Sequence, residues 1–269
     1  MPIITISRGT LSGGKMLADC LADHLGYQCI SREVIIDAAA EYEISLDRLI
    51  EVMEKPPSFW EHLTGERAKY LNYIRIALCE RAKSGNLVYH GHAGHLLLAD
   101  IRHVIRVRVI ADMESRIRGA MAMYNVDRKG AIAHIEKADW ERVRWTKFLY
   151  DVNWYDPSLY DIVLNLEHIT LDGACDILAD LAQMERFQPT PESLKAVEDL
   201  SLGCRVWAKL ANDPRTRAAE VKVVADGGVV TVSGRARSED ILEAIPLVAR
   251  EVDGVTEVQA KTELGSIYG

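Results

Sequence analysis

The sequence predicts two folded parts: an α/β three-layer sandwich on a parallel sheet, and behind it a small α+β module with the element order α-β-β-α-β. Three observations lead to this prediction. Strands and helices alternate over the first two thirds of the chain, a glycine-rich turn joins the first strand to the first helix, and past a proline-punctuated stretch near residue 187 strand patterns follow one another directly. A length of 269 residues is typical of two domains.

The first part begins with a β-branched run at residues 3–6, and residues 16–25 then show helical apolar spacing. Helical patterns follow at residues 33–42 and 66–82, and strand patterns at 87–90, 104–110 and 161–165. Alternating strands and helices favour right-handed crossovers and a parallel sheet. Ligands of such sheets bind beyond the carboxyl ends of the strands, where the glycine-rich turn is expected.

The second part is predicted from the change in pattern. Residues 187–194 are polar and carry two prolines, so they are interpreted as a linker between a domain at 1–186 and a module at 195–269. The predicted elements are a helix at 193–210, strands at 220–225 and 228–234, a helix at 239–252, and a strand at 256–263.

Composition and charge argue against an intrinsically disordered chain, a general nucleic-acid binder and a membrane-spanning protein. Hydrophobic residues make up 48% and charged residues 27% of the chain, which is typical of a folded protein. A net charge of −8 gives no general reason to expect a nucleic-acid partner. Five scattered cysteines without metal-ligand spacing are interpreted as reduced thiols. With no signal-like start and no apolar run of about 18 residues, a cytoplasmic location is expected.

The glycine-rich turn, Gly9-x-x-x-x-Gly14-Lys15, fits a phosphate-binding loop except at Met16, where serine or threonine is usual. Glycines let backbone N–H groups turn toward phosphate oxygens, the helix adds its positive N-terminus, and the lysine reaches the outer phosphates. The predicted nucleotide-binding residues are Gly9, Ser12, Gly13, Gly14, Lys15 and Met16. Since Met16 lacks the hydroxyl that usually coordinates magnesium, Mg²⁺ is expected to be held through phosphates and water.

Several segments together resemble a known family. They are residues 4–8, Ser12-Gly-Gly-Lys15, residues 25–27, 104–118, Asp139-x-x-Arg142, 153–156 and 160–165. As an ensemble they look like the cytidylate-kinase-like proteins, P-loop NTPase relatives among the nucleoside monophosphate kinases, over about residues 1–180. The resemblance implies ATP-dependent phosphoryl transfer to a nucleoside monophosphate or a similar small phosphate acceptor, with ATP and Mg²⁺ as cofactors.

By the same resemblance Lys15, Arg116, Arg142 and Arg144 are the candidate catalytic residues, the arginines closing over the transferred phosphate. An alternative stays open for Arg142, because its spacing from Asp139 also suits a surface ion pair on a helix. Arg142 and Arg144 diverge around a helix, so both can serve only if the helix breaks there.

Two positions depart from the family pattern: Leu11 stands where relatives usually carry glycine, and His92 where they carry arginine. Arg32 and His92 are the expected acceptor-binding residues, and the departure at His92 leaves cytidine specificity open. His90, His92 and His95 could alternatively hold a metal, but their spacing favours a crevice-lining or structural role. No protein metal site is therefore predicted.

The last part looks like a BON domain over about residues 195–264, on residues 227–234, 244–249 and 252–258. The resemblance suggests lipid contact only weakly, and an oligomerisation or regulatory module is favoured. Three functions follow as hypotheses. The leading one is a phosphotransferase, the alternative is a catalytically weak nucleotide sensor that signals through the BON-like module, and the third is a lipid-associated protein. Formation of a homo-oligomer stays open.

Overall fold

The computed structural model describes residues 1–31, 64–91 and 93–265 of the chain. These residues form two compact units: residues 1–31, 84–91 and 93–190 belong to the first, and residues 64–83 and 191–265 to the second. The helix predicted at 33–42 and the candidate residues Arg32 and His92 lie outside the described residues. Within those three ranges, none of the helices has the length and apolarity needed to cross a membrane.

The described strands, in chain order, are β1 Ile3–Arg8, β2 Gln28–Ser31, β3 Leu87–His90, β4 Val104–Ile110, β5 Ile162–Asn165, β6 Glu220–Asp226, β7 Val229–Ala236 and β8 Glu257–Leu264. The described helices are α1 Gly14–Leu25, α2 Thr64–Ala82, α3 Gly94–Leu97, α4 Met113–Tyr124, α5 Arg128–Tyr150, α6 Leu171–Gln183, α7 Pro191–Asn212 and α8 Glu239–Arg250. Most strand and helix patterns in the sequence are therefore found within a few residues of their predicted bounds.

A five-stranded sheet forms the centre of the first unit, in the order β2-β3-β1-β4-β5. Every neighbouring pair in it is parallel, so the predicted α/β fold is confirmed. Helices α1 and α6 cover one face, where they bury a core with the sheet. Because β1 lies between β3 and β4, the loop that follows Arg8 emerges in the middle of the carboxyl edge.

Helices α4 and α5 form a pair beside this edge. Asp112 caps α4 by accepting a hydrogen bond from the backbone N–H of Ser115 at 3.0 Å, and Asp127 caps α5 by accepting from Gly130 N–H at 2.8 Å. The two helices pack through a small apolar seam of Ile117, Ala120, Ala131 and Ile135. Helix α5 runs for 23 residues without a break.

The second unit contains the predicted α-β-β-α-β order as α7-β6-β7-α8-β8. Strand β7 is central; it pairs antiparallel with β6 and parallel with β8. Its buried residues Val230 and Val232 pack with Leu202, Val206 and Ile245 from the two helices. The small α+β module expected from the sequence is therefore present.

Helix α2 also belongs to the second unit, although the sequence prediction placed residues 66–82 in the first domain. It packs along α7: Cys79 and Cys204 are both buried, and the Ser201 hydroxyl donates to Glu80 Oε1 at 2.7 Å. Apolar periodicity shows that a helix buries one face but does not name the surface that covers it. The predicted domain boundary at 186 thus separates α2 from the helix it contacts.

A helix begins within the predicted linker at residues 187–194. Helix α7 begins at Pro191, so residues 191–194 are helical rather than connecting chain. Proline is well suited to the first turn of a helix because its missing N–H would have no partner there in any case. The proline-containing stretch at residues 187–194 therefore includes the first residues of helix α7.

Candidate nucleotide-binding site

Residues 9–13 form the turn between β1 and α1, and Gly13 and Gly14, where the turn meets the helix, have little space for a side chain. Gly13 has φ of 84°, in the left-handed region that glycine adopts without strain, and a Cβ there would lie 2.9 Å from Leu166 Cδ1. A Cβ on Gly14 would lie 2.7 Å from the Arg8 side chain. The first turn of α1 can therefore begin immediately after the loop, with its free N–H groups at the carboxyl edge of the sheet, as anion binding requires.

Lys15 and Met16 are both exposed in the first turn of α1, and Met16 is 62% exposed. The turn, the helix N-terminus and the lysine are together suited to the phosphates of ATP. The Met16 thioether, in contrast, is no ligand for Mg²⁺, which prefers oxygen. These features suit phosphate groups, while the side chain at position 16 offers no oxygen to a metal.

The Ser12 side chain stabilises the loop through hydrogen bonds to backbone carbonyl groups. Its side chain is buried, and its hydroxyl lies 3.0 Å from the Gly9 carbonyl oxygen and 3.2 Å from that of Val109, at the end of β4. A hydroxyl engaged with two backbone carbonyls holds the loop against the sheet. The Ser12 backbone N–H also donates to the Gly9 carbonyl oxygen, at 3.3 Å, so both polar groups of Ser12 hold the loop itself in this structure.

Two arginines from the α4–α5 pair meet the loop at Thr10. The Arg116 Nε donates to the Thr10 carbonyl oxygen at 2.7 Å, and the Arg142 Nη1 contacts the Thr10 hydroxyl. Asp139 lies between them: its Oδ2 pairs with Arg116, and its Oδ1 accepts from Arg142 at 2.8 Å and from the Thr10 backbone N–H at 2.9 Å. We call Thr10, Arg116, Asp139 and Arg142 the Thr10 network.

Asp139 is charged within this network despite its burial. Its side chain is 11% exposed, and burial by itself raises its pKa. The hydrogen bonds from Thr10 and Arg116 and the charge of Arg116 outweigh burial, and they hold the pKa of this carboxyl below its ordinary value. The i, i+3 spacing of Asp139 and Arg142 is therefore part of a partly buried network on the loop, rather than an isolated surface ion pair.

The comparison with known families agrees with this geometry. Residues 3–168 match the model of the cytidylate kinase-like family. The chain belongs to this family. Residues 199–265 match the BON domain, in the region of the second unit that has the α-β-β-α-β order.

Individual relatives are distant but matched over nearly their full length. A cytidylate kinase of Methanoregula boonei is 24% identical over 189 residues, covering 70% of this chain and 97% of that protein. One from Halobacterium salinarum is 26% identical over 194 residues, covering 70% of this chain and 95% of that protein. A crystal structure of an uncharacterized protein from Eubacterium ventriosum is 20% identical with a TM-score of 0.52, covering 69% of this chain and all of the other. That likeness concerns the fold.

Leu11, which departs from the family pattern, has a backbone φ of 59°. A residue other than glycine in this left-handed region costs about 1–2 kcal/mol, which explains why a glycine suits the position. The Leu11 side chain packs against the apolar seam of the α4–α5 pair. Leucine at position 11 therefore lacks the conformational freedom of glycine, but its side chain adds an apolar contact between the loop and the helices that carry Arg116 and Arg142.

Arg144 is not brought to the loop. Because α5 is unbroken, Arg144 lies about 200° around its axis from Arg142. Its guanidinium lies 4.5 Å from the ring centroid of Trp140, which is 53% exposed. The condition under which both arginines could close over phosphate, a break in the helix, is not met in this structure.

Thr10 and Asp139 were not among the site residues predicted from the sequence, and neither was Arg108. Arg108 is buried, its Nη1 contacts the Trp154 carbonyl oxygen, and its Cζ lies 4.2 Å from the Trp154 ring centroid. The Trp154 indole donates to the Ser7 hydroxyl at 3.0 Å. The alternation Arg106-Val-Arg108-Val in β4 was a signal that one face of this strand meets polar partners.

Of the three histidines near the end of β3, the structure describes His90 and His95. His95 is 2% exposed, its ring centroid lies 4.7 Å from that of Tyr160, and burial lowers its pKa to about 3. It is therefore neutral at physiological pH, in accord with a structural role. His90 ends β3 and is buried on the sheet face that carries α1.

Proposed function

We propose that this protein transfers the terminal phosphoryl group of ATP to a nucleoside monophosphate or a similar small phosphate acceptor. Membership of the cytidylate kinase-like family supports phosphoryl transfer in general. The observation that carries the proposal is the Thr10 network, which joins two arginines from the α4–α5 pair to the phosphate-binding loop. Phosphoryl transfer depends on charge neutralisation and alignment, and arginines at the loop supply both.

In the proposed reaction, the N–H groups at the start of α1 and the Lys15 ammonium hold the phosphates of ATP. Arg116 and Arg142 neutralise the charge that spreads over the transferred group. Asp139 is a positioning residue, because it holds both guanidinium groups at Thr10 before substrate binds. No side chain of the loop supplies an oxygen to Mg²⁺ at position 16, so the metal would be held through phosphates and water and would supply neutralisation of the phosphate charge. By family resemblance, Arg32 and His92 are proposed to contact the acceptor.

The test is the purified full-length protein with ATP and Mg²⁺ against a panel of nucleoside monophosphates, following diphosphate formation. Lys15→Ala is expected to weaken ATP binding about 10- to 150-fold, since a hydrogen bond to a charged group contributes roughly 1.5–3 kcal/mol. Turnover should fall at least as far. Lys222→Ala is the matched control, because Lys222 is an exposed lysine on β6. Undiminished ATP affinity in Lys15→Ala would contradict the loop assignment.

One observation favours a second candidate, a nucleotide sensor with weak catalysis. Met16 is an exposed thioether where a metal-binding hydroxyl is usual, so ATP can be held while its metal lacks the usual ligand from this position. In this alternative the BON-like module transmits the state of the site. ATP binding that depends on Lys15, without diphosphate formation from any monophosphate tested, would favour the sensor over the kinase.

A further inference from the structure

A second group of polar side chains lies on the face of the sheet that carries α1. Asp19 on α1, Cys29 on β2 and His90 at the end of β3 bring a carboxylate oxygen, a thiol sulfur and an imidazole nitrogen within 4.8 Å of one another. Cys29 pairs in register with Val88, two residues before His90, so the Cys29 and His90 side chains share one face of the sheet. The Cys29 thiol donates to Asp19 Oδ1 at 3.3 Å.

These three donors match the ligands of one class of metal ion. Thiolate sulfur, imidazole nitrogen and carboxylate oxygen are the zinc ligands of proteins, whereas Mg²⁺ prefers oxygen alone. Zinc–ligand lengths of about 2.0–2.3 Å place tetrahedral ligands roughly 3.3–3.8 Å apart. Asp19 and Cys29 are exposed and can close a gap of that size, while His90 is buried and fixed by β3.

We propose that Asp19, Cys29 and His90 bind a borderline-soft divalent metal ion, with Zn²⁺ as its type and water as the fourth ligand. Binding breaks the S–H bond of Cys29, forms a metal–sulfur bond and releases the proton to solvent, so no oxidant or reductant is needed. The sequence did not predict this site because His90 lies far along the chain from Asp19 and Cys29. The inference does not rest on the proposed function, since all three donors lie outside the phosphate-binding loop.

The test uses full-length, reduced protein without a histidine tag. Zn²⁺ uptake is measured by competition with a chromophoric chelator, and Co²⁺ uptake by the thiolate-to-cobalt charge-transfer band. We expect one equivalent of metal and a clear band. Cys29→Ser should abolish the band and weaken Zn²⁺ binding by more than the roughly 10- to 100-fold typical of losing an outer-shell partner. Asp19→Asn should weaken Zn²⁺ binding and leave the band in place.

The matched control is Cys20→Ser, because Cys20 is the next residue on α1 and interacts with Cys175 rather than with Cys29. It should retain full metal uptake. Lys15→Ala should also retain uptake while losing ATP, so that failure of this site and failure of the proposed function are told apart. Absence of stoichiometric uptake, or a charge-transfer band that persists in Cys29→Ser, would overturn the proposal. Thermal unfolding of each variant verifies that it is folded.

Discussion

Met16, in the first turn of α1, offers no side-chain oxygen to a metal at the proposed phosphate site. Two positions beside it are constrained by close approaches, that of Gly13 to Leu166 and that of Gly14 to the Arg8 side chain. Met16 is under no such constraint, because its side chain is 62% exposed and belongs to none of the described apolar cores. A change at Met16 should therefore alter chemistry at the loop with little effect on folding.

Met16→Thr is expected to raise turnover about tenfold, equal to roughly 1.4 kcal/mol off the barrier, and to lower the Mg²⁺ concentration needed. The reason is that a threonine hydroxyl can coordinate the metal bound to the phosphates. Steady-state kinetics across a magnesium titration measure both effects. Met16→Val is the control, because valine has nearly the shape of threonine without the hydroxyl. Equal behaviour of the two variants would argue against a metal role for this position.

At the scale of elements, the Thr10 network connects the loop to two helices that reach it from later in the chain. Arg116 belongs to α4, whereas Asp139 and Arg142 belong to α5. The Asp139 carboxylate thus interacts with the loop through Thr10, with α4 through Arg116, and with Arg142 on its own helix, α5. Loss of the Asp139 charge removes a carboxylate that two partly buried guanidinium groups share, which is costly in a site of low solvent exposure.

Asp139→Asn is expected to lower the free energy of unfolding at pH 7 by roughly 2–4 kcal/mol. The folded-state pKa of Asp139 is below its ordinary value, so its stabilisation is present above the unfolded pKa of about 3.9 and is lost as pH falls through the folded value. The difference in the free energy of unfolding between wild type and variant should therefore become smaller as the pH falls. Urea unfolding at a series of pH values measures it, with Asp180→Asn on the exposed side of α6 as control. A gap that does not change with pH would contradict the assignment of this charge.

At the scale of the whole molecule, the second compact unit combines two segments that are far apart in the sequence, residues 64–83 and 191–265. Helix α2 comes from the middle of the family region, yet it packs on α7 in the second unit. Besides the Ser201–Glu80 hydrogen bond, the Asn212 side-chain amide donates to the Tyr73 hydroxyl. A fragment cut at the linker would carry α7 without this partner.

A fragment of residues 191–269 is therefore expected to unfold without a cooperative transition, or at a much lower temperature than the second unit does in the full chain. Exposure of the α7 surface that α2 buries is the physical reason. Trp207 is the single tryptophan in the fragment, and its fluorescence reports the transition. Addition of a peptide of residues 64–83 should restore cooperativity. A fragment that is as stable alone as in the full chain would show that α2 is dispensable.

The sequence alone was enough to establish the parallel α/β fold, the α-β-β-α-β module and the glycine-rich loop, because each depends on local spacing. Apolar periodicity and the steric freedom of glycine are read within a window of a few residues. The same locality explains why Lys15 and Arg116 could be named as candidates: the first lies in the loop motif, and the second follows a strand in a helix matched to the family.

Only the tertiary structure decided which distant side chains meet. Asp139 and Thr10 are 129 residues apart, and their hydrogen bond depends on where α5 lies against the loop. The unbroken α5 separates Arg144 from Arg142, and the assignment of α2 to the second unit places an early helix against a late one. Asp19, Cys29 and His90 converge for the same reason. Such contacts are made by folding across long chain separations, and neither periodicity nor motif spacing carries that information.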